Sequence, residues 1–151
     1  MVANFVWAFR RLDALRAEDG EGRAELSIAL VVEDEWLVRL ELAEALETQG
    51  WTVLEANAGD TALQLLRDNP DIALLVTDIR LPGAVSGWDV ADAFRVTNVK
   101  AAIIYCSGNP CDPDRQVPDS VFLSKPCRID LLIETSLKLC PDVPENRKRI
   151  E

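Results

Sequence analysis

Polar side chains suited to metal and phosphate chemistry follow four short apolar segments of the sequence. In chain order they are Glu33-Asp34-Glu35, Asp78, Ser107 and Lys125. If three of these four carboxylates lay about 5 Å apart, they would repel one another by roughly 3 kcal/mol per pair at an effective dielectric of about 20. Such a cluster favours a hard divalent cation, and Mg²⁺ held by a few carboxylates fits best. Lys125 would then offer a point charge to a phosphoryl oxygen, and Ser107 a hydrogen-bond donor.

Strand-like and helix-like segments alternate from residue 28 onward and would position these side chains. We predict helices over residues 35–49, 59–68, 87–97 and 128–139, and strands over residues 28–32, 51–55, 72–76, 101–106 and 120–123. Such alternation predicts an α/β fold, a doubly wound five-stranded parallel sheet with helices on both faces. In such sheets the chemistry lies at the carboxyl ends of the strands. If the first, third and fourth strands are neighbours, the polar residues meet at one edge.

The charge balance and the missing histidine exclude several function classes. The 151 residues hold 16 Lys+Arg against 26 Asp+Glu, a net charge of −10. Phosphate backbones need clustered cations, so we expect no nucleic acid to bind directly. Without histidine the chain has no Ser-His-Asp triad, Cys-His pair or histidine-bound zinc, and it carries no phosphohistidine of its own.

The four cysteines and the first nine residues indicate in which cellular compartment the protein is expected. Cysteines at 106, 111, 127 and 140 form no CxxC pair, and their simplest interpretation is reduced thiols acting as small hydrophobes. A redox role for Cys111 or Cys127 is the alternative. The apolar start of nine residues lacks the features of a signal peptide and is too short to span a membrane. We therefore expect a cytoplasmic protein without a membrane partner.

At these positions the sequence resembles the receiver domains of response regulators in two-component signalling, of the single-domain type. The resemblance depends on the pair Glu33-Asp34, on Asp78 with the following Leu81-Pro82, on Ser107 and on Lys125-Pro126. It covers about residues 27–140 and implies the flavodoxin-like receiver fold.

The resemblance implies a phosphoacceptor and a metal site. Asp78 would take a phosphoryl group from the phosphohistidine of a sensor histidine kinase or a histidine phosphotransfer protein. Asp34, Asp78 and the backbone carbonyl of Arg80 would bind Mg²⁺ directly, and Glu33 would act mostly through water. The chain would assist its own phosphorylation and dephosphorylation without being an enzyme.

The resemblance also implies a switch and an output. Ser107 and Lys125 would bind the phosphoryl oxygens, and Ser107 with the aromatic Phe122 would rearrange after phosphorylation. The Lys125–Pro126 peptide bond would be cis. Output would pass to a downstream protein whose identity the sequence does not indicate, with a homodimer as a further option.

Three features depart from the family pattern. The loop over residues 81–87 is one residue longer than in most relatives, and Phe122 stands where tyrosine is more common. The family's fourth helix corresponds to residues 109–118, which contain Pro110, Pro113 and Pro118. An interior proline costs a helix about 3 kcal/mol. We therefore predict a loop or at most one turn there, so that the fourth helix is short or missing.

The flanking segments complete the predicted organisation. Residues 1–26 would be an N-terminal extension with an amphipathic helix, residues 27–140 the receiver domain and residues 141–151 a polar tail.

Three other interpretations stay open. One is a degenerate receiver that is never phosphorylated and acts as an interaction module. Another is a Mg²⁺-dependent phosphatase resembling the haloacid dehalogenases, although Arg80 stands where those enzymes carry a general acid. The third is a flavodoxin-like cofactor binder, although Glu33-Asp34-Glu35 would repel a phosphate.

The first helix is the predicted docking surface for the kinase. Trp36, Leu37 and Leu40 add apolar surface beyond the residues needed for the core, and Glu41 and Glu44 border it. The resemblance implies that this part of the helix contacts the phosphohistidine-bearing helices of the kinase. Packing of Trp36 and Leu40 onto the loop after the fifth strand is the alternative.

Overall fold

A computed structural model describes residues 27–143 of the chain. The N-terminal extension predicted for residues 1–26, and all but the first three residues of the tail predicted for 141–151, lie outside the described residues. Within the described part of the chain, no helix has the length and apolar character needed to cross a bilayer.

Within residues 27–143, five parallel strands form one sheet. They are β1 (Ile28–Val32), β2 (Thr52–Ala56), β3 (Ile72–Thr77), β4 (Ala102–Ser107) and β5 (Val121–Ser124), in the spatial order β2-β1-β3-β4-β5. The first, third and fourth strands are therefore neighbours, as the convergence of the polar residues requires. Almost every residue of these three strands is buried, because helices cover both faces of the sheet.

In the described part of the chain, four helices cover the two faces of the sheet. They are α1 (Trp36–Thr48), α2 (Gly59–Asp68), α3 (Gly87–Thr97) and α4 (Ile129–Leu139). Leu65 of α2 and Phe94 of α3 belong to the core on one face, whereas Leu46 of α1 and Leu132 of α4 belong to the core on the other. The predicted doubly wound α/β fold is confirmed.

The predicted element boundaries differ from the observed ones by one residue at several ends. The most useful difference concerns Ser107, which we expected just after the fourth strand. It is the last residue of β4 and lies opposite Ser124, the last residue of β5. The polar residues therefore begin inside the sheet ladder, where hydrogen bonding fixes the backbone.

Residues 108–120 connect β4 to β5 through turns and form no helix, as predicted from the prolines. Contacts from the rest of the domain fix this segment. The Arg95 guanidinium donates to the Pro118 carbonyl at 3.1 Å, and the Val117 N–H donates to the Tyr105 hydroxyl at 3.3 Å. Arg115 forms an ion pair with Asp89 of α3 at 3.2 Å.

Candidate functional site

Backbone hydrogen bonds extend the sheet ladder into the predicted site. The Asp78 N–H donates to the Val32 carbonyl at 2.9 Å, and the Lys125 N–H donates to the Ser107 carbonyl at 2.9 Å. Val32 of β1 also lies opposite Thr77 of β3. The residues that follow β1, β3 and β5 are thus held at one edge of the sheet, the carboxyl edge.

Three carboxylates meet at this edge. Glu33, Asp34 and Asp78 each offer one oxygen, and these oxygens all lie within 4.8 Å of one another. Glu33 is fully buried, Asp78 is 7% exposed and Asp34 is exposed. Hard oxygen ligands with one member open to solvent are the donor set that suits Mg²⁺, which keeps several waters.

Lys125 lies between the two buried acids. Its Nζ donates a hydrogen bond to Asp78 Oδ2 at 2.8 Å and forms an ion pair with Glu33 Oε2, also at 2.8 Å. Within the described part of the chain, no other donor pairs with that Glu33 oxygen. Lys125 therefore supplies the positive charge that faces both carboxylates.

Burial and pairing act in opposite directions on these groups. Burial lowers the pKa of Lys125, but its contacts with Asp78 and Glu33 outweigh burial and raise that pKa above its usual range. For Glu33, burial raises the carboxyl pKa more than Lys125 and the Glu35 N–H lower it. Lys125 thus stays charged, whereas ionisation of Glu33 is disfavoured by its surroundings.

The Asp78 carboxylate is held through both of its oxygens. Oδ1 accepts from the Ile79 N–H at 2.7 Å, and Oδ2 accepts from Lys125. The neighbouring Thr77 hydroxyl donates to the Asp78 carbonyl at 2.7 Å. The carboxylate is therefore oriented before any ligand arrives, which is the requirement for a positioned nucleophile.

Ser107 and Arg80 complete the predicted site residues at this edge. Ser107 is 1% exposed, and its hydroxyl accepts from the Asn109 N–H at 3.2 Å. Arg80 is exposed on the loop that follows Asp78. A phosphoryl contact for Ser107 and a metal contact for the Arg80 carbonyl remain predictions.

Phe122 packs in a cluster of aromatic rings. Its ring centroid lies 6.5 Å from that of Trp88 and 6.3 Å from that of Tyr105, while Trp88 and Tyr105 are 4.8 Å apart. Phe122 is half-buried against the core. The predicted switch residue is thus inward in this structure, and its switching role remains a prediction.

Sequence reasoning missed two residues that position the acids. A Cβ added at Gly87 would lie 1.9 Å from the Asp78 carbonyl oxygen, and the Gly87 N–H donates to the Ile79 carbonyl at 2.8 Å. A glycine at the first position of α3, after the capping Ser86, was the available signal. The second is Arg39, whose Nη1 donates to the Glu33 carbonyl at 2.9 Å.

The family model for the response regulator receiver domain matches residues 29–136. Over 111 residues the chain is 36% identical to the alkaline phosphatase synthesis transcriptional regulatory protein SphR of Synechococcus elongatus, covering 64% of this chain and 42% of that protein. Over 125 residues it is 31% identical to the sensor kinase CckA of Brucella abortus, covering 80% of this chain and 13% of that protein. The chain thus spans less than half the length of these two relatives.

Solved structures show the same fold. A response regulator receiver protein from Sinorhizobium medicae WSM419 matches with a TM-score of 0.75 at 29% identity, over 81% of this chain and 100% of that one. The receiver domain of the hybrid histidine kinase CckA matches with a TM-score of 0.65 at 32% identity, over 75% of this chain and 98% of that one. The fold of this chain therefore has counterparts of similar size among solved receiver domains.

Proposed function

The chain belongs to the response regulator receiver family of two-component systems, and we propose from this that Asp78 accepts a phosphoryl group from a phosphohistidine. An Asp78 carboxylate oxygen attacks the phosphorus atom, and the phosphorus–nitrogen bond to the histidine breaks. These 151 residues include no histidine, so the proposed donor is the phosphohistidine of a sensor histidine kinase or of a histidine phosphotransfer protein. A small-molecule phosphodonor would substitute for the partner.

The contact of Lys125 with Asp78 and Glu33 carries this proposal. A phosphoryl group on Asp78 adds about −1.5 to −2 charges at neutral pH. The ammonium of Lys125, 2.8 Å from both acids, is placed to contact a phosphoryl oxygen as that charge develops. The Ser107 hydroxyl, at the end of the neighbouring strand, would donate to a second phosphoryl oxygen.

The acidic cluster supports a Mg²⁺ site. Asp34, Asp78 and the Arg80 carbonyl would hold the ion directly, and Glu33, which is buried and paired with Lys125, would act through water. When bound, Mg²⁺ offsets negative charge on the phosphoryl oxygens. Asp34 is the exposed member of the cluster, so it is the residue through which the ion would enter.

Phosphorylation would change the environment of Ser107 and Phe122. Ser107 would turn toward the phosphoryl group, and Phe122, which packs against Trp88 and Tyr105 in this structure, would then rearrange. Output to a downstream protein would depend on this rearrangement. The proposed receiver domain comprises residues 27–140. The proposed site of phosphoryl transfer in the cell is the cytoplasm, in keeping with the four free thiols.

Asp78→Asn is expected to abolish phosphorylation. The variant keeps the size of the side chain but removes the nucleophilic carboxylate oxygen. After incubation with acetyl phosphate and Mg²⁺, intact mass should rise by about 80 Da for the unmodified protein and not for the variant. Asp114→Asn, an exposed position in residues 108–120, is the control and should be labelled normally. Labelling that persists in Asp78→Asn would disprove the assignment.

Asp34→Ala is expected to weaken Mg²⁺ binding by roughly 10-fold or more, because an oxygen ligand is lost. Without metal, the variant should unfold at a slightly higher temperature, because one of three clustered negative charges is gone. Titration calorimetry measures the first effect and thermal unfolding the second. Glu44→Ala, on the exposed side of α1, should change neither, and equal Mg²⁺ affinity in Asp34→Ala would place the metal elsewhere.

The exposed side of α1 is our proposed kinase-docking surface. Trp36 is 63% exposed, Leu37 60% and Leu40 40%. Packing of Trp36 and Leu40 onto the loop after β5 therefore does not agree with the structure. Glu41 and Glu44 are exposed as well. An apolar patch with an acidic border beside the phosphoacceptor suits a partner helix with apolar and basic residues.

Leu37→Glu combined with Leu40→Lys is expected to abolish phosphoryl transfer from the cognate kinase and to leave labelling by acetyl phosphate intact. The double change removes apolar contact area without touching the acidic cluster. Val96→Glu with Val99→Lys, at two other exposed apolar positions, is the matched control and should support both reactions. Normal transfer from the kinase to the α1 variant would move the docking surface elsewhere, and loss of both reactions would contradict a role of Leu37 and Leu40 that is confined to docking.

The competing functions find less support at this site. The phosphatase mechanism needs a general acid two residues after the nucleophile, and that residue is Arg80. A phosphate-bearing cofactor would face three carboxylates. A degenerate receiver would have lost a site residue, whereas Glu33, Asp34, Asp78 and Lys125 are all present and grouped.

A further inference from the structure

Two cysteines meet near Lys125, on the side of the sheet covered by α1 and α4. The Sγ atoms of Cys106 and Cys127 are 2.9 Å apart, and all four cysteines of the chain are free thiols. Sulfur atoms in a disulfide are about 2.05 Å apart, so an approach of about 0.9 Å would allow a bond to form. The two residues are far apart in sequence, and the fold alone brings them together.

The surroundings of the two thiols differ. Cys106 is 1% exposed within β4, whereas Cys127 is half-buried just before α4. The hydrogen bond with Cys106 and the charge of Lys125 lower the pKa of Cys127 despite its burial. The contact with Cys127 and burial both raise the pKa of Cys106. Cys127 is therefore the more accessible of the two thiols and the more readily deprotonated, and Cys106 lies behind it.

We propose that Cys106 and Cys127 form a peroxide-sensitive disulfide site. The Cys127 thiolate attacks an oxygen of hydrogen peroxide, the O–O bond breaks, and a sulfenic acid forms while the departing hydroxide becomes water with the proton of Cys127. The Cys106 sulfur then attacks the Cys127 sulfur, and the S–O bond breaks. The second hydroxide takes the Cys106 proton. Two thiols lose two electrons in total, and one peroxide becomes two waters.

The position of this site gives the disulfide a structural consequence. Cys106 directly precedes Ser107, and Cys127 follows Lys125 by two residues. A bond between them would link the end of β4 covalently to the segment just before α4. Ser107 and Lys125, which line the acidic edge, lie within two residues of the linked cysteines in sequence. Formation of the bond does not depend on phosphorylation of Asp78, so its test is independent of the proposed function.

The test uses the full chain with Cys111→Ser and Cys140→Ser, which leaves the proposed pair unchanged. After hydrogen peroxide treatment, we expect the intact mass to fall by about 2 Da and the thiols that react with iodoacetamide after denaturation to fall from two to none. Dithiothreitol should restore both thiols. Two thiols that still react, a gain of oxygen alone, or a disulfide between two chains would overturn the proposal.

A second variant tests the order of the steps. With Cys106→Ala added to the same background, Cys127 has no neighbouring thiol and should gain oxygen instead of forming a disulfide. With Cys127→Ala added instead, Cys106 should stay a reactive thiol after the same exposure and denaturation. Oxidation of Cys106 in that variant at the rate of Cys127 would overturn the assignment of the attacking sulfur. If either variant fails to fold, the protein with only Cys111→Ser and Cys140→Ser still tests whether the disulfide forms, because it keeps both Cys106 and Cys127.

Discussion

Lys125→Met will reduce the rate of phosphorylation by acetyl phosphate by at least about 100-fold, the typical effect of removing one electrostatic donor from a reaction centre. The methionine keeps much of the apolar stem of Lys125 but removes the ammonium that lies 2.8 Å from Asp78 and Glu33. The developing charge on the phosphoryl oxygens then has no fixed cation from the protein beside it. Time-resolved intact mass measures the rate.

Lys138→Met is the matched control for this prediction. Lys138 forms an exposed ion pair with Glu134 at 3.0 Å on α4, and such pairs contribute about 1 kcal/mol or less. Its variant should be phosphorylated at the normal rate. A Lys125→Met protein that is folded and reacts within a few fold of the unmodified rate would contradict the role given to Lys125.

Lys125→Met should also change how the free energy of unfolding depends on pH in the absence of divalent cations. Burial already raises the pKa of Glu33 above its usual 4.5, and Lys125 opposes that rise. Without Lys125 the folded state would hold the Glu33 proton to still higher pH than the folded unmodified protein does. The free energy of unfolding should therefore fall further below that of the unmodified protein as pH rises above about 4.5. Urea unfolding at several pH values measures this, and a constant difference would contradict it.

Gly87→Ala is the second change with a large expected effect, a loss of about 3 kcal/mol from the free energy of unfolding, at the upper end of typical overpacking costs. The added Cβ would lie 1.9 Å from the Asp78 carbonyl oxygen, so either α3 or the Asp78 backbone must move. Alanine gains at most about 1 kcal/mol in helix propensity, and the clash outweighs that gain. Urea unfolding measures the loss.

Gly108→Ala provides the control, since a Cβ there meets nothing within 4 Å. Gly108→Ala should leave the free energy of unfolding almost unchanged. If Gly87→Ala folds, its displaced Asp78 should also be phosphorylated more slowly than in Gly108→Ala. Equal stability of the two variants would show that the Gly87 contact does not constrain Asp78.

Periodicity and strand composition were enough to predict the fold. Segments such as Ile28–Val32 and Ile72–Thr77 are apolar on both faces, which only a sheet covered on both sides satisfies. The rule that chemistry lies at the carboxyl ends of parallel strands then predicted that Glu33, Asp78 and Lys125 would meet. The prolines likewise predicted a loop or at most one turn over residues 109–118, because a proline removes a backbone hydrogen-bond donor wherever it stands.

Features that depend on tertiary proximity could not be predicted from the sequence. The role of Gly87 follows from where α3 begins relative to the Asp78 carbonyl, and no local pattern encodes that distance. The contact of Cys106 with Cys127 depends on how α4 starts against β4. The burial of Glu33, which makes it a partner of Lys125, required the three-dimensional arrangement of β1 and β5.

Locating the phosphoryl group on the unmodified chain tests the central claim most directly. The protein is incubated with acetyl phosphate, with Mg²⁺ or with a chelator, and peptide mass spectrometry locates the added group. We predict one phosphoryl group per chain, on Asp78, formed with Mg²⁺ and not with the chelator. A folded protein that stays unlabelled in Mg²⁺, or that carries the group on another residue, would contradict the claim that Asp78 is the phosphoacceptor.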